Sequence, residues 1–341
     1  MSQAGKTDFQ AEKEVVRAYQ RALDGSSPDD IVDAISPFVA PDWFWRGMHP
    51  FHEQEGPDAV ADVFWTPLRK AVKRLQRRPD IFIAGLNAID DFQSTWVVEM
   101  GHLMGLFDEP WLGIRPTLRI VMLRYCEFNR VEDGKIVETA MFCDIPHLMM
   151  QAGQNPFPPQ TGAMLVQPGP RTHDGVCYDK QDPARGENAL AVINGMLNSM
   201  RVRTREEDPA WRLSLDWHDD MIWWGPAGIG ATYTIERYLR QHSLPFRDAL
   251  VDYKFNGHIA KIAEHDFGGF FGWPNLTMRN AGGYLGMNAG PGLADMRVID
   301  MYRVEDGKLA ENWIFIDILH FLNMQGLDVL KRMEAVGAGG G

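Results

Sequence analysis

RVEDGKIVETAMFCDIPHLMMQAG, residues 130–153, and RVEDGKLAENWIFIDILHFLNMQG, residues 303–326, are two copies of one stretch. RVEDGK is identical in both, and Asp144-x-x-His147 falls on Asp317-x-x-His320 at an offset of 173 residues. Self-similarity at a fixed offset marks a duplicated structural unit. In each copy Asp-Gly stands between two apolar runs, which is a hairpin signal because both central turn residues need positive φ. The apolar run then ends on an Asp that leads into a helix-like segment.

Working outward, the same order of elements precedes both copies. Residues 12–23 place Val15, Ala18, Tyr19, Ala22 and Leu23 on one helical face, and residues 189–200 do the same with Ala189, Leu190, Ile193, Met196, Leu197 and Met200. Ser27-Pro28-Asp29-Asp30 and Asp208-Pro209 open short second helices. Aromatic strands follow at Trp43–Trp45 and Met221–Trp224, then a third helix that Pro67 or Pro245 should kink or break. Four strands complete each half, at 81–89, 94–107, 117–131 and 136–145, and at 251–264, 268–279, 293–305 and 308–319. Helices followed by an antiparallel sheet is an α+β plan.

Single cores stop growing near about 250–300 residues, so the 341 residues of this chain imply two domains once the duplication is counted. The expected boundaries are 1–153 and 187–333, with a linker at 154–186 and a flexible Gly-rich tail at 334–341. Residues 151–186 hold six Pro and no sustained periodicity, which makes a semi-extended strap. Net charge of -12 argues against nucleic acid and acidic membrane surfaces as partners. Cys126, Cys143 and Cys177 lack metal or CxxC spacing and read as free thiols of a reducing compartment. With no apolar leader or membrane span in the sequence, the expected location is cytoplasmic.

On these residues each half resembles a SnoaL-like polyketide cyclase domain of the nuclear transport factor 2-like superfamily, carried best by Asp133-Gly134-Lys135 to Asp144, Asp306-Gly307-Lys308 to Asp317, and Gly326. The resemblance implies two cystatin-like α+β cones, forming an internal pseudo-dimer and compatible with a homo-oligomer. It also implies a small hydrophobic molecule as partner, no cofactor and no metal. The implied activity is proton transfer on an apolar cyclic or polyketide-like ketone, in aldol cyclisation or isomerisation. Asp144 and Asp317 would be the acid or base, with His102, or Asn280 in the second copy, stabilising the enolate oxygen. A carboxyl partly withdrawn from water suits that role.

The residues leave other readings open. Each Asp can instead cap the helix starting at Pro146 or Leu319, and His102 or Asn280 can be a backbone-satisfied core residue. The expected pocket lining is Trp45, Trp224, Trp273, Trp313, Phe142, Phe315, Tyr284 and the loop residue His49, although large aromatics are more often core. Asp295-x-Arg297 with Asp317 loosely resembles the Asp-Arg-Asp arrangement of limonene epoxide hydrolase. A non-catalytic binding protein for a hydrophobic metabolite is the alternative from another class. No phosphate-binding loop, dinucleotide fingerprint, HExxH or GxSxG elbow is present in the sequence.

Overall fold

In the computed structural model, which describes residues 6–201 and 209–338, each half builds one curved sheet with helices against one face. The first sheet comprises β1 (Val39–Gly47), β2 (His52–Glu55), β3 (Val72–Leu86), β4 (Thr95–Phe107), β5 (Ile120–Glu132) and β6 (Lys135–Cys143), in the order β2-β1-β6-β5-β4-β3. The second comprises β7 (Trp217–Trp224), β8 (Thr232–Tyr233), β9 (Leu250–Phe255), β10 (Ala260–Glu264), β11 (Phe267–Asn280), β12 (Ala294–Glu305) and β13 (Lys308–Ile316). Its order is β10-β11-β12-β13-β7-β8, with β9 also on β11, so β9 and β10 together stand where β3 stands in the first. Every ladder is antiparallel except β1 with β6 and β7 with β13. The fold is the α+β arrangement read from the duplicated stretch.

The Pro-containing helix is interrupted upstream of its proline. Between α3 (Gly56–Val60) and α4 (Thr66–Ala71), Ala61–Trp65 widens to a π turn; Leu239–Ser243 does so between α8 (Thr234–Tyr238) and α9 (Leu244–Ala249). Pro67 and Pro245 have no N–H to donate one turn back, and an inserted residue re-routes the ladder around that gap. In α1 (Gln10–Gly25), which the short α2 (Ile31–Ile35) follows, the buried stripe is Lys13, Val16, Tyr19, Gln20 and Leu23, rotated from the expected face. Burial of Lys13 explains the rotation: its Nζ lies 2.7 Å from Glu264 Oε1 in the second half and donates to Cys177 O at 2.7 Å.

The two sheets meet along a seam of aromatic side chains. Phe271 packs against Trp96 and Phe128, with ring centroids 5.4 and 5.1 Å apart. Hydrogen bonds between the halves fix the register: Ala84 N donates to Glu264 Oε2 at 2.8 Å, and Asn87 bonds both Ile259 O and Lys261 N. Between the halves the Pro-rich segment runs over the surface and adds single bridges, Ala163 with Ala231 and Val176 with Phe82, before α6 (Pro183–Arg201). The second helix of that half, α7 (Pro209–Ser214), begins at the expected Pro; Asp208 lies outside the described residues. After α10 (Ile318–Met324), α11 (Val329–Ala338) continues through the first part of the stretch read as a tail, and residues 339–341 lie outside the description. No helix among the described residues is long and apolar enough to cross a membrane.

Inside the first cone, Trp43 Nε1 donates to Thr139 Oγ1 at 2.9 Å, and that hydroxyl donates to Asn129 Oδ1 at 2.7 Å. All three are fully buried. Thr139→Val keeps the shape but orphans the indole N–H, so it should lower unfolding stability by about 1–3 kcal/mol in urea titration. An unchanged midpoint would remove this chain of bonds from the account.

Candidate active site

Side chains alternate across a strand, so Tyr125, Glu127 and Asn129 on β5 share one face, the face that α1 covers. Glu99 stands directly opposite Glu127 on β4, and Arg77 reaches the pair from β3. Tyr125 Oη donates to Glu99 Oε1; Arg77 Nη1 lies 3.3 Å from the same oxygen and 3.6 Å from Glu127 Oε2. Asp24 at the end of α1 is 3.6 Å from Arg77 Nε. Three carboxyls therefore surround one guanidinium.

That imbalance decides the protonation. Glu99 already has Tyr125 and Arg77, yet burial raises its pKa. Glu127 is fully buried, and burial pushes its pKa up to about 7, with Arg77 acting against the rise and Glu99 adding to it. Among the described residues neither Glu127 oxygen has a hydrogen bond of ordinary length, although Asn129 acts on it as a more distant donor and Trp65 does the same for Tyr19; Arg77 Nη2 is buried and has no acceptor. Arg77, at 3.6 Å, and Asn129 are thus the groups that favour ionised Glu127, while Arg77 Nη2 and the Tyr19 hydroxyl are left to donate elsewhere.

The second cone keeps the carboxyl but not its cation. Asp300 occupies the position of Glu127 at the offset of 173, opposite Phe270 where the first cone has Glu99. Burial raises its pKa to about 7; Asn312 Nδ2 donates to it at 3.1 Å, and Tyr302 also holds it. No cation is among the groups acting on it within the described residues.

Glu127 and Asp300 were absent from the expected site, which the structure distributes elsewhere. Asp144 caps α5 (Ile145–Gln151): Oδ1 accepts from His147 N at 3.1 Å, and Oδ2 accepts from Ala227 N, in the other half, at 3.0 Å. Asp317 mirrors this, accepting from His320 N at 3.2 Å and from His49 N, again across the seam, at 3.0 Å. Arg297 Nη1 stands 3.6 Å from Asp317, whose pKa burial lifts to about 6 against those partners. Each Asp therefore has the cap geometry that was its other reading, extended by a bond to the opposite half. His102 lies across the ladder from Arg124, with Nδ1 3.2 Å from Asp80. Asn280 is spent on its own loop, bonding Asn288 O and Gly282 N.

The expected lining also separates. Phe142 and Trp273 pack edge to face in the seam at 5.6 Å, Arg297 covers Trp273 at 3.8 Å, and Arg124 covers Phe315 at 4.0 Å while donating to Trp224 O. Trp45 is core between Phe51 and Phe64. Trp313 Nε1 donates to Pro168 O of the strap. Burial, and then His52, lower the pKa of the His49 imidazole. Tyr284 packs edge-on against Phe246 and Phe321. Most of these residues thus hold the halves together instead of surrounding one cavity, because they lie on the sheet faces that meet. The missed signal was an acidic residue between apolar neighbours at i and i+2, in Tyr125–Asn129 and Val298–Tyr302, at the same offset as the repeat.

Residues 13–152 match the family model described as SnoaL-like polyketide cyclase. No curated protein matches the chain. Among solved structures, a Jannaschia protein assigned as a SnoaL-like polyketide cyclase is 20% identical over 46% of this chain and 97% of its own, with a TM-score of 0.35. TsrD of Streptomyces laurentii is 21% identical over 40% and 96%, with a TM-score of 0.32. A nuclear transport factor 2-like protein of Burkholderia thailandensis is 19% identical over 43% and 97%, with a TM-score of 0.30.

Proposed function

With a SnoaL-like polyketide cyclase domain over residues 13–152 as the premise, we propose that the first cone catalyses cofactor-free proton transfer on an apolar cyclic or polyketide-like ketone, and that Glu127 is its acid and base. The observation carrying this reading is the fully buried Glu127 carboxyl, raised towards neutrality with Arg77 3.6 Å away and without a hydrogen bond of ordinary length among the described residues. Ionised Glu127 takes a proton from the carbon next to the carbonyl. The C–H electron pair becomes the enolate double bond, and charge moves to oxygen, where Arg77 Nη2 and Tyr19 Oη are available to donate. Protonated Glu127 then returns the proton to another carbon, completing an isomerisation, or to the alkoxide of an aldol closure.

Asp144 and Asp317 act in this account as fasteners of the two halves. Asp300, raised to about 7 by burial and without a cation beside it among the described residues, supports a binding role for the second cone, where its protonated form donates one hydrogen bond to a neutral oxygen. This is the form in which a non-catalytic pocket retains a physical basis.

A base must be ionised to work. The exchange rate of the α-protons of 2-tetralone in deuterated water, per enzyme, should therefore rise with pH through about 7, the Glu127 value, and level off above it. A profile flat from pH 5 to 9, or one that falls over this range, would remove Glu127 from the role.

A further inference from the structure

The strap closes a crevice at the end of the second half. Pro158 and Gln160 form one wall, His242 and Phe246 from the Pro245 helix form another, and Tyr284 and Leu285 close it. The hollow is about 140 Å³ and adjoins a second of about 220 Å³ that shares Pro158, Leu285 and Gly286 with it. The wall depends on close approach: a Cβ on Gly286 (φ +72°) would stand 2.4 Å from Pro158 Cγ, so glycine lets the loop lie against the strap. The strap belongs to neither repeated unit, so the crevice is a feature of the joined chain.

Its chemistry selects a ligand class. Among the described residues no Asp, Glu, Lys or Arg lines the first hollow, and the one cation of the second, Arg332, donates to Pro156 O at 3.3 Å. His242 is stacked on Trp223 at 4.0 Å, and burial lowers its pKa to about 3, which keeps the ring neutral. Tyr284 is 6% exposed and its hydroxyl has no partner among the described residues. Gln160 Oε1 accepts from Gly228 N at 3.0 Å, while its Nε2 is buried and unmatched. Two spare donors amid rings and prolines suit a carbonyl oxygen on an uncharged ring. By size alone, a hollow of about 150 Å³ holds one benzene ring, so the first hollow takes one ring at its half-open mouth and the second takes a substituent.

We propose that the strap-roofed crevice is a binding site for a neutral single-ring carbonyl compound, separate from the Glu127 cluster. Acetophenone titrated into the full chain should move the amide signals of Gly228, Leu285 and Gly286, which line the crevice, along one saturating curve. Leu285→Trp should weaken binding at least tenfold by filling the crevice, whereas Glu127→Gln should leave it unchanged. Should Leu285→Trp fail to fold, Tyr284→Phe decides. Its loss of one hydroxyl should weaken acetophenone about fivefold yet leave ethylbenzene, which has no carbonyl, unaffected. Absence of saturation, or weakening by Glu127→Gln but not by the crevice variants, would overturn the proposal.

Discussion

Glu127→Gln is expected to lower the α-proton exchange of 2-tetralone by about 10²–10⁴-fold, the range a positioned general base contributes. The amide is nearly isosteric and can accept one hydrogen bond, but it cannot take the proton. Stability should move the other way. The folded pKa of Glu127, about 7, lies above its ordinary 4.5, so the folded state is favoured while the carboxyl is protonated. That advantage is lost as pH rises through 7, and an amide has none to lose. The variant should therefore be relatively more stable than the parent above pH 7, with the difference fading towards pH 5. An inactive variant that melts normally supports the proposal; full activity would remove it.

Asp317→Ala should cost about 3–5 kcal/mol of unfolding stability, because it leaves the buried Arg297 with only Glu53, at 4.0 Å, and the His49 N–H, across the seam, without an acceptor. Helix α10 also loses its cap, a contribution of about 1 kcal/mol within that sum. Asp317→Asn retains one acceptor and should cost less. It should also flatten the pH dependence, since the native carboxyl is stabilised towards folding below its ordinary 3.8 and loses that contribution as pH rises through about 6. Urea midpoints at pH 5 and 8 measure both effects. Unchanged midpoints would contradict the fastener role. Abolished exchange in Asp317→Asn with an unchanged midpoint would return the acid–base role to Asp317.

The fold was legible because the duplication supplied its own check. Asp133-Gly134 and Asp306-Gly307 each have positive φ at both turn residues and close the hairpins expected of them. The third helix was located, but its π turns were not, because the position of an inserted residue upstream of a proline depends on tertiary packing. The candidate site was legible only in part. Asp144 and Asp317 stand out in the sequence because they recur, yet recurrence at a seam reflects a structural need that both halves share. Glu127 and Asp300 recur as well, hidden inside apolar strands whose burial marks them as core. What sets Glu127 apart is Arg77, about fifty residues from it in the chain and 3.6 Å from it in space, a pairing no local pattern announces.

The direct test of the central claim is the protonation of Glu127 itself. Carbon-13 labelling of glutamate carboxyls, with Glu127→Gln to assign the resonance, gives its titration in the intact chain without any substrate. The account predicts a midpoint near 7. A midpoint at the ordinary glutamate value, near 4.5, would mean that Arg77 holds Glu127 as a plain ion pair, and the first cone would then have no base poised for proton transfer.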